Sequence, residues 1–263
     1  MPNDINDMYY NELCNNGYTI LKNVMSKEAC DNFLNDVVMP ALERHGITDG
    51  CIEESEDYKA WDDDTGAVIT GEDNGHPIPM HLDKWSDFFD SPVLNSFLDR
   101  SHSGPNWEWT DGAKFGMGWI HLRYPVGETG AWVPPDEYEG WHIDGDTDRQ
   151  FTRKSLVMLP FLTDVENGGG GTAVLPGSHN VLMGFMHNKP PEKVQSKLPK
   201  FIEHTVRWAH HPNRSYLNNM RVTEATGNAG DVLVMHPLLL HCGSVNLEGN
   251  STRVTFNLAT GWK

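Results

Sequence analysis

The stretch EGWHIDGDTDR, residues 139–149, sets an imidazole and a carboxylate on either side of one isoleucine. In an extended chain residues i and i+2 point to the same face. His142 and Asp144 would then stand side by side, while Trp141 and Ile143 pack on the other face. Two ligands hold iron poorly, so a third has to come from elsewhere in the chain. The later stretch GDVLVMHPLLLHCGSVN offers two, His236 and His241. Two histidines and one carboxylate leave open positions on one side of a metal, the arrangement of non-haem Fe(II) oxygenases. A His-x-Asp by itself is common. A second copy, His81 and Asp83, precedes KWSDFFD, shows no strand alternation and lies ahead of the β-rich half.

A further residue narrows the chemistry. In TRVTFNLATGW, Val254, Phe256 and Leu258 form an apolar face, so Arg253, Thr255 and Asn257 share the opposite one. An arginine there is expensive to bury without an anionic partner, and its planar fork suits a carboxylate held by two parallel hydrogen bonds. An iron site beside a carboxylate-binding arginine points to a keto-acid cosubstrate. The bland alternative is a surface arginine at a strand end. In FGMGWIHLRYP, Trp119, His121 and Arg123 alternate with Ile120, Leu122 and Tyr124. His121 and Arg123 either line the same pocket, contacting cosubstrate or substrate, or form an outer-face polar pair. Trp141 and the WAHH at 208–211 are either packing or substrate contacts. The NGGGG run has no following Lys-Ser/Thr and reads as a tight turn rather than a phosphate loop. PGSH reads as another turn, with His179 a loop histidine.

These residues have to be positioned by a β framework. From about Lys114 the hydrophobic period is two. KSLVMLPFLTD is a near-continuous apolar run, and GGGGTAVLPGSH, AGDVLVMH and STRVTFNLATGW are further strands. No helix alternates with them, which argues against a parallel doubly wound sheet and favours an antiparallel sandwich or jelly roll. The first half is partly helical. A short strand near Tyr18, Ile20 and Leu21, facing in, precedes a helix capped by Ser26 that carries Phe33, Leu34, Val37, Val38, Ala41 and Leu42 and ends at Gly46. A second helix starts at Ser91-Pro92 and carries Val93, Leu94, Phe97 and Leu98. The expected layout is a single domain over 1–263, with a helical flank and first strand over 1–113. The core occupies 114–263, interrupted by an insertion at about 181–225 with some helix. The acidic segment 53–75 reads as surface.

The chain carries a formal charge of −17 and a pI near 5.0. Such a surface repels phosphate backbones and anionic lipid heads, which argues against nucleic acid and membrane partners. It does not exclude an anionic small molecule, because one arginine overrides the global field locally. Hydrophobic content of 38% and aromatic content of 10% fit a globular chain rather than extensive disorder. Cys14, Cys30, Cys51 and Cys242 form no C-x-x-C pair and are expected as reduced thiols. With no signal peptide, peroxisomal address or long apolar span legible, a cytoplasmic location is the expectation. Oligomeric state is not legible.

Taken in order, WHIDGD (141–146), LTDVENGGGGTAVLPGSH (162–179) and GDVLVMHPLLLHCGSVN (230–246) with Arg253 resemble the phytanoyl-CoA dioxygenase family. This is a family of Fe(II)- and 2-oxoglutarate-dependent oxygenases that also includes ectoine hydroxylase. The opening NGYTILKNVMSKEACDNF is similar to its N-terminal segment. The resemblance implies a mainly β double-stranded β-helix (a cupin-like jelly roll) with flanking N-terminal helices. It implies His142, Asp144 and His241 as iron ligands, His241 being preferred over His236 because it stands at the family's H-x-x-x-x-N position with Asn246. It implies Arg253 as the clamp on the distal carboxylate of 2-oxoglutarate. Ser244, His121 and Arg123 are the further candidates to contact the cosubstrate. The chain departs from the pattern at HCGS: Ser244 falls three positions after the histidine, where many members carry serine two after.

The implied reaction consumes 2-oxoglutarate and O2, releases succinate and CO2, and oxidises an unactivated C–H bond of a small-molecule metabolite. Hydroxylation is the expected outcome, because members that halogenate replace the carboxylate at Asp144 with a small residue. Desaturation, demethylation or ring formation share the same oxidation. Fatty acyl-CoA is not supported as substrate, since no basic cluster marks a coenzyme A phosphate site. The rival readings are a cupin-like protein with a redox-inert metal, which has no need of Arg253, and a non-catalytic binding module descended from such enzymes. Oxidation of a protein substrate is a third.

Overall fold

The computed structural model describes residues 5–40, 85–110, 119–123, 125, 130–138, 140–145, 155–187, 189–211, 220–247 and 252–263, together with five two-residue strands. The His81–Asp83 pair, the end of the Ser26-capped helix at Gly46 and most of the acidic segment 53–75 lie outside the described residues.

Two antiparallel sheets face one another. The strands are β1 (Tyr18–Leu21), β2 (Ile47–Thr48), β3 (Cys51–Ile52), β4 (Val68–Ile69), β5 (Glu72–Asp73), β6 (His76–Pro77) and β7 (Trp107–Trp109). They continue as β8 (Trp119–Arg123), β9 (Leu156–Pro160), β10 (Thr172–Val174), β11 (Thr223–Ala225), β12 (Val232–Met235), β13 (His241–Gly243) and β14 (Arg253–Trp262). The major sheet runs β1-β12-β9-β14-β8-β4, with β7 on the far end of β14, and the minor sheet runs β11-β10-β13. The pairs β2–β3 and β5–β6 stand apart.

Alternation along β9 and β14 decides what each face of the major sheet meets. Leu156, Met158, Val254, Phe256 and Leu258 join the core shared with the N-terminal helices. Val157, Leu159 and Phe161 meet Val174, Ala225, Leu233 and Met235 in the core between the sheets. Strand β9 is buried at every position, as a strand covered on both faces must be. Because Val254 and Phe256 face the helices, Arg253 and Thr255 face the interior. Their ladder partners on β8, Arg123 and His121, share that side.

The helical flank comprises α1 (Ile5–Asn16), α2 (Lys27–Phe33), α3 (Ser86–Phe89) and α4 (Pro92–Ser101). The Ser26 hydroxyl accepts from Ala29 N at 3.1 Å, an N-cap bond, and α2 passes into a π-helical turn over Leu34–Val38 that buries Val37 and Val38. Helix α4 begins with Pro92 behind Ser91 and buries Leu94, Phe97 and Leu98. An aromatic cluster locks the flank to the sheet: Trp85 sits 4.2 Å from Phe33 and 5.1 Å from Phe256 between ring centroids.

Two sequence expectations are corrected. On β1, Leu21 is fully buried and Tyr18 and Ile20 pack, half-buried, against the inter-sheet core as expected, but Thr19, expected to face out, is sealed as well. Both faces of this strand are covered, so alternation could not tell the inner one. His179 is no loop histidine: Gly177, at φ +78°, turns the chain into α5 (Ser178–Met186), and His179 is buried in its first turn.

Helix α6 (Pro191–His210) packs Ile202, Val206 and Ala209 over Trp141, Leu240 and Cys242. Its outer face gathers the exposed Lys193, Lys197, Lys200 and Arg207, a basic stripe that helical spacing brings together although no run of the sequence does. None of the described helices is long and apolar enough to cross a membrane. Among the described cysteines, Cys30 and Cys242 are buried thiols and Cys14 is exposed. Burial pushes Cys30 up to about 12 and Cys242 higher still, which makes both poor nucleophiles.

Candidate metal centre and the recess beside it

His142 reaches the minor sheet through a single antiparallel bridge. Its N–H donates to His241 O at 3.0 Å, and His241 N–H returns the bond to His142 O at 3.1 Å. Two residues on, the N–H groups of Asp144 and Gly145 both donate to Pro237 O, at 3.1 and 2.9 Å. A Cβ on Gly145 would lie 3.1 Å from that carbonyl and 3.0 Å from Leu238 Cδ2, so glycine lets the segment close onto the Pro237–Leu238 turn. Trp141 is buried against α6 and donates its indole N–H to Pro135 O.

Donor atoms of His142, Asp144 and His241 lie within 4.8 Å of one another, with His241 Nε2 3.7 Å from Asp144 Oδ2. Among the described residues this is the one such His/Cys/Asp/Glu group. The two imidazoles are held alike. His142 Nδ1 lies 3.0 Å from Gly140 O and His241 Nδ1 lies 3.0 Å from Leu239 O. A carbonyl can only accept, so each Nδ1 carries a proton and Nε2 is the nitrogen each ring would offer a metal. Two imidazoles and one carboxylate within reach of a single ion fit Fe(II) well. His241 and Asp144 are turned inward, while His142 is exposed, so one side of the centre is open.

His236 stands elsewhere. Its ring lies tilted against that of His179, 5.2 Å between centroids, and its Nδ1 accepts from Leu238 N at 3.0 Å. It braces the turn whose carbonyl holds Asp144, and burial pushes it down to about 4.

The interior face of the major sheet supplies the recess. Arg253 is buried, donates from Nη1 to Thr255 Oγ1 at 2.5 Å, and leaves its buried Nε without a partner. Burial and then Arg123 push its guanidinium down to about 9, against the pull of Glu224. An arginine kept dry with an unused donor fits a carboxylate ligand. Arg123 is the cross-strand partner of Arg253 and lies over Gly243, where a Cβ would fall 2.1 Å from its Nη2. His121 is pushed down to about 3 by burial, then by Arg253 and Arg123, and its sealed Nε2 has no partner. It is therefore neutral. Asp144 and His142 also act on it, which ties this recess to the metal centre.

Ser244 does something else. Its hydroxyl donates to Gly171 O, with Glu224 Oε1 also 3.3 Å away, so its one proton is committed to the glycine turn. Sequence reasoning missed Glu224, a buried carboxylate on β11 that accepts from Gly168 N at 2.6 Å and Gly171 N at 2.8 Å. The only signal was a lone acid within the apolar β11–β12 region, which periodicity reads as a solvent-facing position.

The family model for phytanoyl-CoA dioxygenase matches residues 13–254. Among solved structures, the epimerase SnoN in complex with Fe3+, alpha ketoglutarate and nogalamycin RO superposes with a TM-score of 0.60 at 15% identity, covering 98% of this chain and 83% of that one. The alpha ketoglutarate-dependent carbocyclase SnoK from nogalamycin biosynthesis gives 0.57 at 15% identity, over 97% and 83%. HygX from Streptomyces hygroscopicus, with nickel and 2-oxoglutarate bound, gives 0.55 at 14% identity, over 97% and 87%. At these identities the likeness establishes the fold, the cupin-type jelly roll. A sequence search among curated proteins finds no match.

Proposed function

The chain belongs to the phytanoyl-CoA dioxygenase family of Fe(II)- and 2-oxoglutarate-dependent oxygenases, and from that premise we propose how its residues divide the work. His142, Asp144 and His241 hold the iron, Arg253 grips the distal carboxylate of 2-oxoglutarate, and the reaction hydroxylates a small-molecule metabolite. The observation that carries this reading is the convergence of that triad with a buried arginine lacking an acidic hydrogen-bond partner. A redox-inert metal protein of the same fold would have no use for Arg253, whose burial costs several kcal/mol (order of magnitude) when no anion answers it.

Iron held by His142, Asp144 and His241 would supply O2 activation coupled to decarboxylation of 2-oxoglutarate to succinate and CO2. The protein's own part is orientation and exclusion of water. The carbonyls of Gly140 and Leu239 fix both imidazole tautomers. The Pro237 carbonyl fixes the Asp144 backbone. Thr255 accepts from Arg253 and so aims its fork, leaving the hydroxyl proton of Thr255 for the ligand. Neutral His121 and charged Arg123 complete the polar wall. Ser244 takes no direct part, since its proton goes to the turn. The substrate enters from the side of exposed His142.

Neighbours of this fold include an epimerase and a carbocyclase, so the outcome of oxidation is a separate question from the cosubstrate. The decisive experiment is anaerobic titration of the apoprotein with Fe(II) and 2-oxoglutarate, read by the visible metal-to-ligand charge-transfer band. We expect a band in the wild type, none in His142→Ala, and a shift to much higher 2-oxoglutarate in Arg253→Ala. A folded wild-type protein with no band at any concentration sinks the reading. Once a substrate is found, label from 18O2 in the product separates hydroxylation from epimerisation or ring closure.

A further inference from the structure

The cosubstrate recess contains more positive charge than one carboxylate calls for, and the chain supplies its own correction. We propose that Glu224 is a specificity-determining residue: its buried carboxylate sets the charge of the recess around Arg253 and Arg123 to match a single negative charge on the cosubstrate's distal group. The proposal rests on the cosubstrate reading above.

Arg253 and Arg123 are direct partners across the β14–β8 ladder, and like charges in that position oppose one another. Among the described residues neither forms an ion pair. Arg253 donates to Thr255, and Arg123 makes only a 3.5 Å contact to Leu122 O. His121, their neighbour on the same face, is neutral and adds no charge.

Against these stands Glu224, 6% exposed. Gly168 N holds one of its oxygens and Gly171 N holds the other, with Ser244 Oγ 3.3 Å from the latter. Burial raises its carboxyl above the ordinary carboxylate value, the Gly168 and Gly171 N–H bonds and Arg253 oppose that rise, and the two bonds keep the carboxylate from swinging to either guanidinium. The grip is tight: a Cβ on Gly171 would lie 2.7 Å from Glu224 Cγ, and one on Gly170 would lie 3.0 Å from Arg123 Cβ. The turn that clamps Glu224 is thus also the turn packed on Arg123. Glu224 is the carboxylate that acts on Arg253. Two guanidinium charges and one fixed carboxylate leave one positive charge, which a cosubstrate ending in one carboxylate cancels. A dianionic tail would leave an excess, and an uncharged tail would leave a buried charge unanswered.

The test is calorimetric binding to the anaerobic Fe(II)-loaded protein, which reads affinity rather than turnover. The three probes differ only in the distal group: 2-oxopentanoate (uncharged), 2-oxoglutarate (one charge) and 2-oxo-4-phosphonobutanoate (up to two). Wild type should prefer 2-oxoglutarate. In Glu224→Gln, which keeps the shape of the side chain, affinity for the phosphonate relative to 2-oxoglutarate should rise on the order of tenfold. Arg123→Gln should move the balance the other way, eroding the advantage of 2-oxoglutarate over 2-oxopentanoate. The double variant should return towards the wild-type order. If Glu224→Gln does not fold, Arg123→Gln carries the test, and an unmoved preference there overturns the proposal. Parallel weakening of all three probes in Glu224→Gln, or unchanged ratios, also overturns it and leaves Glu224 as a brace for the turn. Wild type that binds no 2-oxoglutarate overturns the cosubstrate reading as well. Normal wild-type binding with unmoved ratios removes only the role of Glu224.

Discussion

His142 and His241 are backbone partners before they are anything else. Each donates its N–H to the carbonyl of the other, at 3.0 and 3.1 Å, and their rings lie 4.3 Å apart between centroids. The distance between two proposed iron ligands is therefore set by a β-bridge rather than by side-chain rotamers alone. Side chains of directly opposed residues share a face of the sheet, which puts both imidazoles on one side. Such a site is preorganised, and its metal affinity should depend on the bridge as much as on the rings.

His142→Ala and His241→Ala should both abolish tight Fe(II) binding, lowering affinity by roughly 10²-fold or more. They should differ in stability. His142 is exposed, so its loss costs the apoprotein about 0.5 kcal/mol or less. His241 is 6% exposed and leaves a buried gap, costing about 2 kcal/mol. Metal content after anaerobic loading and urea unfolding of the apoprotein measure the two separately. Equal stability losses would contradict the asymmetric burial.

Arg253→Met should weaken 2-oxoglutarate binding by about 10²-fold or more while leaving apoprotein stability within about 1 kcal/mol of wild type. Arg253 is buried with its Nε unanswered, so its desolvation offsets most of what it contributes to the fold. A collapse of the apoprotein on this substitution would show the arginine to be structural.

Gly243→Ala should separate recess from fold. The added methyl would meet Arg123 Nη2 at 2.1 Å, and the obstacle is the far end of a flexible side chain that can swing away. We expect a stability loss of about 1 kcal/mol, Fe(II) affinity near wild type, and several-fold weaker 2-oxoglutarate binding. Calorimetric titration of each ligand checks this. Unchanged cosubstrate affinity would place Arg123 outside the recess.

Acid should destabilise the apoprotein through His236. Its folded-state value, about 4, lies below the ordinary histidine value of 6.5, so between these pH values the unfolded chain binds the extra proton. Stability conferred by the neutral form is complete above about pH 6.5 and is lost as pH falls towards 4, at up to about 1.4 kcal/mol per pH unit. His236→Asn keeps an acceptor for Leu238 N and removes the titration. Its melting temperature should fall less steeply over the same window, and an identical slope would assign the acid sensitivity to other groups.

Much of the site was legible because strand geometry is a local rule. Alternation alone put His142 beside Asp144, turned Arg253 and Thr255 away from Val254 and Phe256, and placed His121 with Arg123. The family's spacing picked His241 over His236 through Asn246. Alternation missed Thr19 on β1, which is sealed although Tyr18 and Ile20 pack on the inter-sheet core, because a strand covered on both faces carries no one-sided signal. It also read PGSH as a turn, when Gly177 instead launches α5 and buries His179.

By itself, then, the sequence determined the donor types, the face each strand presents and the class of fold, since each follows from periodicity and side-chain chemistry over a few residues. Pairing across long sequence separation was left to the tertiary structure. Only the packed sheets decided that His142 bridges His241, that Arg123 opposes Arg253, that Ser244 spends its proton on Gly171, and that Glu224 lies buried where its charge acts on Arg253. Those relations depend on register and on which polar groups are left to satisfy one another once water is gone, and no local pattern encodes that.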